Sequence, residues 1–358
     1  MNNPFIKFIS LTIFIFILSP GLYSQSSWFI LNSGSYHPDF TDIEFTDENT
    51  AFASGGDGSI FKTSNAGESW IKRNTLTNSY LWSVSFVNSN TGWAAGDNGT
   101  IVKTTNGGEN WTLQNSNTNV LLEEINFVNS NTGWALGHYG MILKTTNGGT
   151  IWIGQESGTG ENLFSSYFVN SATGWISGDN GIINTTDGGE TWSSQLNEPW
   201  VYSVFFINET TGWAGVRFGK IFKTTNGGNS WVQEQSGTGA TYFSMKFINE
   251  NTGWAVGDYN VIIKTTNGGS QWIQQSSGLT GNNIRFNSVE CIDPTGQNCW
   301  TAGFNGLILN SVNGGSIWQS KLNGSVTSSY LWSSKFINDD TGWAAGDNGT
   351  IVKTTNGG

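Results

Sequence analysis

The stretch TGWAAGDNGTIVKTTNGG occurs twice in this chain, from Thr91 to Gly108 and again from Thr341 to Gly358. Similar but inexact copies lie between these two and before them. One aromatic position of the stretch returns every 38 to 46 residues, at Phe52, Trp93, Trp134, Trp175, Trp213, Trp254, Trp300 and Trp343. A period of about 40–45 residues is that of one four-stranded propeller blade. The repeat therefore predicts an all-β propeller.

The Trp content has the same cause as the repeat. A second series of Trp residues follows each Asn-Gly-Gly or a close variant of it, at Trp70, Trp111, Trp152, Trp192, Trp231, Trp272 and Trp318. The two series account for 14 of the 18 Trp residues, so most of these rings are expected to have a structural role. The 48 Gly residues and the 11% content of charged residues indicate many turns between short strands.

The second repeat shows how the unit is expected to fold. Trp82–Val87 alternates in polarity and predicts an inner strand A, and Trp93–Ala95 predicts strand B. After the turn residues Asp-Asn-Gly, the β-branched segment Thr100–Thr104 predicts strand C. A further Gly-rich turn leads to strand D, which is predicted to open at Trp111. No helical pattern is present after the first residues.

The two ends of the chain are predicted to complete one blade together. The segment 28–34 resembles a strand D with no blade before it, and the last repeat contains strands A, B and C with no D. Pairing the N-terminal segment with Thr350–Thr354 would close the ring and remove the exposed edges. Eight blades are favoured, with seven as the alternative. The predicted repeats lie near residues 37–70, 78–111, 119–152, 160–192, 199–231, 239–272, 283–318 and 328–358.

The first 24 residues are predicted to be a signal peptide rather than part of the fold. Lys7 precedes an apolar run, Phe8–Leu18, which is too short to span a bilayer but suits a secretory h-region. The remaining chain, residues 25–358, is expected to be secreted, periplasmic or on the cell surface, without membrane insertion. Its formal charge is close to the −11 of the whole chain, which disfavours nucleic acid and anionic lipid as partners.

The turn between strands C and D carries a family resemblance. The segment TTDGGETW from Thr185 to Trp192 resembles the Asp-box of sialidase-like propellers. The seven copies place an Asx residue at one position, namely Asn65, Asn106, Asn147, Asp187, Asn226, Asn267 and Asn313. With the Thr-Gly-Trp-Ala and Gly-Asp segments that precede it, the pattern looks most like exported propellers of the photosystem II stability/assembly-factor type. The resemblance implies a binding scaffold without catalysis, and the usual seven blades of that family support the alternative blade number.

The sequence contains no recognisable catalytic or metal-binding pattern. Sialidases need three convergent Arg residues, whereas Arg73, Arg217 and Arg285 occupy different places in their repeats. The two His residues and two Cys residues do not have the spacing of a metal site, so no metal or cofactor is predicted. Cys291 and Cys299 flank the A–B turn of the seventh repeat, and in an exported protein a disulfide between them is expected.

The carboxylates that recur at the B–C turn have an expected structural role. Asp97, Asp179, Asp258 and Asp347 occupy one position of the repeat, and a catalytic pair is not expected to recur around a ring. Three residues interrupt the pattern at that position, namely His138, Arg217 and Phe304. These exceptions carry more functional information than the carboxylates.

A binding face is predicted where the repeats differ. Four positions before the Phe of each strand A, or before Cys291 in the seventh repeat, lie Thr41, Trp82, Glu123, Phe164, Tyr202, Phe243, Asn287 and Trp332. This position is expected to begin strand A at the channel mouth, opposite the Asp-boxes, and five of its eight residues are aromatic. The candidate binding residues are Trp82, Phe164, Trp200, Tyr202, Arg217, Phe243 and Trp332. The alternative is that these rings only pack between blades.

Three functions are compatible with these patterns. The first is an exported, non-catalytic propeller that binds a protein or a glycan on the face opposite the Asp-boxes. The second is a glycoside hydrolase of sialidase or xyloglucanase type, which needs two carboxylates at a set separation in a cleft. The third is a propeller module of a larger surface adhesion protein, supported by the end of the chain within a turn. The first is favoured.

Overall fold

The protein is an eight-bladed β-propeller in the computed structural model, which describes residues 29–30, 39–47, 49–291, 294–320, 327 and 329–356. Every blade is a four-stranded antiparallel sheet. Each inner strand packs against the inner strand of the next blade, and the last blade packs against the first. The prediction of eight blades is confirmed, and the alternative of seven is wrong. The predicted signal peptide, Trp28 and residues 31–34 lie outside the described residues.

The strands are numbered in chain order and grouped here by their place in the blade. The inner A strands are β2 (Phe40–Phe45), β6 (Leu81–Phe86), β10 (Leu122–Phe127), β14 (Leu163–Phe168), β18 (Val201–Phe206), β22 (Tyr242–Phe247), β26 (Phe286–Cys291) and β30 (Leu331–Phe336). The B strands are β3 (Ala51–Gly55), β7 (Gly92–Gly96), β11 (Gly133–Gly137), β15 (Gly174–Gly178), β19 (Gly212–Val216), β23 (Gly253–Gly257), β27 (Cys299–Gly303) and β31 (Thr341–Gly346).

The outer half of each blade consists of the C and D strands. The C strands are β4 (Ile60–Thr63), β8 (Ile101–Thr104), β12 (Ile142–Thr145), β16 (Gly181–Thr185), β20 (Lys220–Thr224), β24 (Ile262–Thr265), β28 (Ile308–Ser311) and β32 (Thr350–Thr355). The D strands are β5 (Ile71–Arg73), β9 (Thr112–Gln114), β13 (Ile153–Gln155), β17 (Ser193–Leu196), β21 (Val232–Gln235), β25 (Ile273–Gln274), β29 (Gln319–Ser320) and, completing the eighth blade, β1 (Phe29–Ile30).

The N-terminal strand closes the ring as predicted. β1 pairs antiparallel with β32, with Phe29 opposite Lys353 and Ile30 opposite Val352. The eighth blade therefore takes its outer strand from the start of the chain and its three inner strands from the end. This arrangement ties the first and last blades together and covers the edge of β32.

Stacked aromatic rings join neighbouring blades. Trp93 on strand B of the second blade is fully buried and lies parallel to Phe127 of the third blade, with ring centroids 3.5 Å apart. Trp152, which precedes strand D of the third blade, meets the same Phe127 edge-on at 5.8 Å. The indole N–H of Trp93 also donates to the carbonyl of Gly148 in the next C–D turn. The two Trp series of the sequence therefore pack against the same Phe ring at the contact between neighbouring blades.

The C–D turns are held by their own side chains. In the fourth blade the hydroxyl of Thr185 donates to Asp187 at 2.8 Å and accepts the backbone N–H of Gly189 at 2.6 Å. Asp187 also accepts the side-chain and backbone donors of Thr191, and these hydrogen bonds hold its pKa below the usual range. Asn replaces Asp in the corresponding turns and accepts the same kind of backbone bond, for example from Ser69 to Asn65. These turns have a structural role on the face away from the B–C turns.

Candidate functional site

Every inner strand contains a β-bulge at its second residue. The pairing register of strand A skips one residue in all eight blades, for example between Leu81 and Ser83 opposite β7. The skipped residues are Thr41, Trp82, Glu123, Phe164, Tyr202, Phe243, Asn287 and Trp332. The prediction that this position begins strand A is therefore wrong by one residue. The bulge redirects the side chain out of the ladder, which is why this position can vary without breaking the sheet.

Five of the eight blades contribute to a continuous chain of rings beside the channel mouth. Phe164 and Tyr202 lie nearly parallel, with centroids 5.7 Å apart, and Tyr202 lies 5.4 Å from Phe243. The guanidinium carbon of Arg285 is 3.6 Å from the centroid of Phe243 and 4.8 Å from that of Phe304. The chain of contacts continues to the eighth blade. We call this set the aromatic arc, and its members are Phe164, Tyr202, Phe243, Arg285, Phe304, Tyr330 and Trp332.

Trp332 ends the aromatic arc and remains accessible. Its ring is 5.9 Å from Phe304, and its indole N–H donates to Asp347 at 2.6 Å. The Trp332 residue is 36% exposed. Trp82 lies on the second blade, outside the arc, where it stacks on Tyr80 and donates to Asp97 at 2.8 Å. Trp82 is half-buried, so neither Trp is enclosed between sheets in the way that the alternative interpretation requires.

Trp200 and Arg217 lie together on the fifth blade. The guanidinium carbon of Arg217 is 4.7 Å from the Trp200 ring centroid and 5.0 Å from that of Phe218. The structure therefore brings the seven predicted residues into three groups, with Phe164, Tyr202, Phe243 and Trp332 in the arc, Trp200 with Arg217, and Trp82 separate. Arg217 and Arg285 make no ion pair with any residue that the structure describes.

Sequence reasoning missed Arg285 as a member of this site. Arg285 precedes strand A and its side chain is held by donation to Asn287, the bulge residue of its own blade, at 2.7 Å. Burial lowers the pKa of its guanidinium, although Asp258 acts in the opposite direction. The position immediately before strand A would have indicated this residue. In four of the eight blades it holds a large aromatic residue or an arginine, namely Tyr80, Trp200, Arg285 and Tyr330. Aligning that position in the repeats would have revealed it.

Carboxylates also lie on this face, both outside and within the blades of the aromatic arc. His138 contacts Glu123 at 3.0 Å, and burial raises the pKa of the Glu123 carboxyl. Asp97 and Asp347 accept the indole donors of Trp82 and Trp332 as described above. The face therefore combines aromatic rings, two cations without an ion-pair partner among the described residues, and carboxylates that accept hydrogen bonds from some of those rings. The predicted turn-forming role of the B–C carboxylates is thus only part of their role.

The channel below this face contains three carboxylates that join neighbouring inner strands. Asp42 accepts the backbone N–H of Val84 at 3.2 Å, and Glu44 accepts that of Phe86 at 2.8 Å. Glu124 accepts both the backbone N–H and the hydroxyl of Ser166. Their oxygen atoms satisfy inner-strand donors that have no partner within the blade.

Enclosure within the channel shifts the ionisation of these groups. Burial raises the pKa of Glu44 to about 8, with the charge of Asp42 adding to the effect. Burial likewise raises the pKa of Glu124 to about 7. The surrounding cavity has a volume of about 500 Å³. Because these carboxylates are already bonded to backbone donors, they are poorly placed to act as a hydrolytic pair.

Metal-binding and membrane-spanning features are absent from the part of the chain that the structure describes. No group of three or more His, Cys, Asp or Glu side chains there is arranged to hold a metal ion. No helix in the same residues has the length and apolar character needed to cross a bilayer. Cys291 and Cys299 form the predicted disulfide.

The eight four-stranded blades, joined by repeated Trp–Phe contacts, define this protein as a β-propeller. The chain belongs to the family of the photosynthesis system II assembly factor YCF48, whose model matches residues 22–105, 104–238 and 223–320. The resemblance to assembly-factor propellers is therefore confirmed. No curated protein matches the chain by sequence.

Solved structures give the same picture of the fold. A structure of YCF48 bound to a D1 peptide has a TM-score of 0.65 and 17% identity, over 92% of this chain and 96% of that one. YCF48 from Cyanidioschyzon merolae has a TM-score of 0.59 and 17% identity, over 91% and 98% of the two chains. An ancestral GH74 enzyme has a TM-score of 0.60 and 17% identity, over 92% of this chain but 54% of the enzyme. At these identities the likeness shows the fold alone.

Proposed function

We propose that this chain is an exported, non-catalytic propeller that binds a protein segment on the face of the aromatic arc and serves as an assembly scaffold. The observation that carries the proposal is the arc itself, in which rings from five blades and Arg285, which has no ion-pair partner among the described residues, lie in contact. Aromatic residues and Arg are the types that dominate binding energy at protein interfaces. Their partial exposure beside the channel mouth leaves ring faces and guanidinium donors available to a partner.

The family adds support for a peptide rather than a metabolite as the ligand. One solved structure in the comparison is of YCF48 bound to a D1 peptide, so a propeller of this family can bind a peptide. A partly exposed arc spanning several blades suits such a segment better than it suits a small enclosed ligand. Export is supported by the Cys291–Cys299 disulfide, since such bonds persist in oxidising compartments.

The alternative function is the binding or cleavage of a glycan. Exposed aromatic rings also stack on sugars, and a GH74 propeller is among the similar structures. The channel carboxylates Asp42, Glu44 and Glu124 weigh against hydrolysis, because each accepts hydrogen bonds from the neighbouring inner strand. A role as one module of a larger surface adhesion protein is compatible with either ligand.

Selection from a library of random twelve-residue peptides tests the proposed function. Peptides enriched on the intact protein should bind Tyr202→Ala, Phe243→Ala and Trp332→Ala variants at least about tenfold more weakly, because each substitution removes one hot-spot ring. Leu113→Ala is the matched control, since Leu113 is an exposed apolar residue on an outer D strand. Binding is measured by fluorescence anisotropy and stability by thermal unfolding.

Three results would contradict this function. One is the absence of any enriched peptide together with retention of oligosaccharides from a glycan array. Another is equal peptide binding by the arc variants and the Leu113 control. A third is a loss of about 3–5 kcal/mol of stability in the arc variants, which is the cost of emptying a core aromatic site and would assign the rings to packing.

A further inference from the structure

The B–C turns require a left-handed backbone conformation at one position. Most blades place there a residue type that tolerates this conformation, and three blades do not. In seven of the eight blades the second residue of the turn has a positive φ. Four of those residues are Asp or Asn, namely Asp57, Asn98, Asn305 and Asn348. The other three are Tyr139 (φ 56°), Phe218 (φ 61°) and Tyr259 (φ 56°). Asn and Asp tolerate the left-handed region, whereas a bulky aromatic residue is strained there.

Packing does not account for these three aromatic residues. Tyr139 is 73% exposed, Phe218 is 65% exposed and Tyr259 is 60% exposed. An exposed ring contributes little buried area to offset the strain of its backbone. Strained residues that the fold does not need occur mainly at functional sites. The same turn built with Asn elsewhere in this ring shows that the aromatic side chain is not required for the turn.

A fourth left-handed aromatic residue, Trp200, lies next to one of these turns. Trp200 has a φ of 59° and is 37% exposed. Its backbone N–H donates to the carbonyl of Asp179 on the fourth blade, and its own carbonyl accepts the N–H of Arg217 on the fifth. Trp200 therefore lies at the junction of two blades. With Arg217 and Phe218 it forms what we call the rim cluster.

Arg217 gives the rim cluster its chemistry. Its guanidinium group lies over both rings of the cluster and has no ion-pair partner among the described residues. Lys220, the nearest basic residue in sequence, is by contrast paired with Glu198. The two rings orient this arginine, and it has no counter-ion among the described residues. It can therefore donate two parallel hydrogen bonds to a carboxylate of a partner. The flanking rings offer apolar area next to that carboxylate.

We propose that the rim cluster binds a protein segment in which an Asp or Glu side chain is adjacent to a large apolar side chain. This inference rests on the proposed function and adds the chemistry of the bound segment. The carboxylate pairs with Arg217, and the apolar side chain packs on Phe218 and Trp200. On a chain with a formal charge of −11, an unpaired cation on the rim also sets where an acidic segment can approach.

The test uses the same library of random twelve-residue peptides, selected separately on the intact protein and on two variants. The intact protein should enrich peptides with an acidic residue next to a large apolar one. Arg217→Gln should lose the acidic preference, and Phe218→Asn should lose the apolar one. A representative enriched peptide should bind each variant at least tenfold more weakly, and its affinity for the intact protein should fall as salt is raised.

Stability measurements separate a binding role from a structural one. Phe218→Asn places in the turn the residue that other blades use, so its Tm should be unchanged or higher. Asn98→Tyr, on the second blade, is the matched control, because it adds an aromatic residue to a left-handed turn outside the rim cluster. This control should lower the Tm without changing peptide binding.

The outcomes distinguish this inference from the proposed function. Failure to enrich any peptide on the intact protein counts against both. Enrichment of the same motif on the intact protein and on Arg217→Gln overturns the inference alone. A lower Tm for Phe218→Asn also overturns it, since the ring would then stabilise the fold. Enrichment of basic peptides would overturn it as well.

Discussion

A single pair of facing residues distinguishes the seventh blade from the others. In the second blade Phe86 on strand A lies opposite Gly92 on strand B, and a Cβ atom at Gly92 would lie 2.5 Å from the Phe86 ring. The glycine is therefore required by the ring beside it. In the seventh blade the two positions hold Cys291 and Cys299, which are bonded to each other and packed with Trp254. The disulfide thus occupies the place that a Phe ring and a Gly fill in six other blades, whereas Phe45 faces Ala51 in the first blade.

This substitution of one pair for another predicts a compensating double variant. Cys291→Phe alone should destabilise the protein, because the ring meets the side chain of Cys299. Cys291→Phe together with Cys299→Gly restores the common pair and should recover much of that loss. The remaining difference should be about 2–3 kcal/mol or less, which is the usual contribution of a disulfide closing a short loop. Denaturant unfolding of the two single variants and the double variant measures the coupling.

The control for this cycle is Cys291→Ser with Cys299→Ser, which removes the bond without adding a ring. If the Phe/Gly variant is no more stable than the Ser/Ser variant, the positions are not equivalent to Phe86 and Gly92. The interpretation of the disulfide as a replacement for the stacked ring would then be wrong.

At the scale of the element, the closing strand is among the shortest strands in the structure. β1 contains only Phe29–Ile30, yet it supplies the outer strand of the eighth blade. The sequence signal for it was the likeness of residues 28–34 to a strand D. The A-strand bulge is the opposite case, because it occurs in every inner strand and was not predicted. Bulges follow from pairing between strands, and a one-residue register shift leaves no mark on hydrophobic alternation.

Removal of the closing strand should weaken the ring without unfolding the blades. A protein lacking residues 25–35 should have a lower Tm, because the first and last blades lose their backbone link and the edge of β32 is exposed. Exposed edges pair with other chains, so an increase in oligomers by size-exclusion chromatography is also expected. A protein lacking only residues 25–28 retains β1 and is the control. Equal Tm values for the two truncated proteins would mean that β1 does not stabilise the closure.

At the scale of the whole molecule, the channel makes stability depend on pH. Glu44 has a pKa of about 8 in the folded state against an ordinary value of 4.5, through burial and the charge of Asp42, while Lys335 acts in the opposite direction. A raised acid pKa means that the neutral form is favoured by folding. The contribution of Glu44 to stability is therefore fully present below pH 4.5 and is lost as the pH rises through about 8.

Glu44→Gln should remove the part of this pH dependence that Glu44 contributes. The variant should have a Tm about 2–4 °C above that of the intact protein at pH 9, and the difference should disappear near pH 5. Glu109→Gln provides a comparison of opposite sign. A hydrogen bond from Lys62 lowers the pKa of exposed Glu109, so that group stabilises above its ordinary pKa, and only slightly because of solvent screening. Parallel Tm profiles for the intact protein and Glu44→Gln from pH 5 to pH 9 would contradict the assignment.

The sequence alone was sufficient for the architecture and for the joints between blades. The eight sheets could be derived from the 38-to-46-residue period and the two Trp series, because these patterns recur in each repeat. The closing strand could be derived because the two incomplete repeats at the chain ends together make one blade. The disulfide followed from two cysteines flanking one turn. In each of these cases the residues that determine the feature are close in sequence or recur at one period.

Only the tertiary structure decided which variable residues meet. Phe164, Tyr202 and Phe243 are about 40 residues apart, and their contact depends on the bulge and on the spacing between blades. Arg285 joined them because its side chain crosses from the seventh blade to a ring of the sixth. A repeat pattern reports what the blades share, whereas a binding face is made of the residues in which they differ. The distances among those residues are set by the closed ring and not by the sequence of any one repeat.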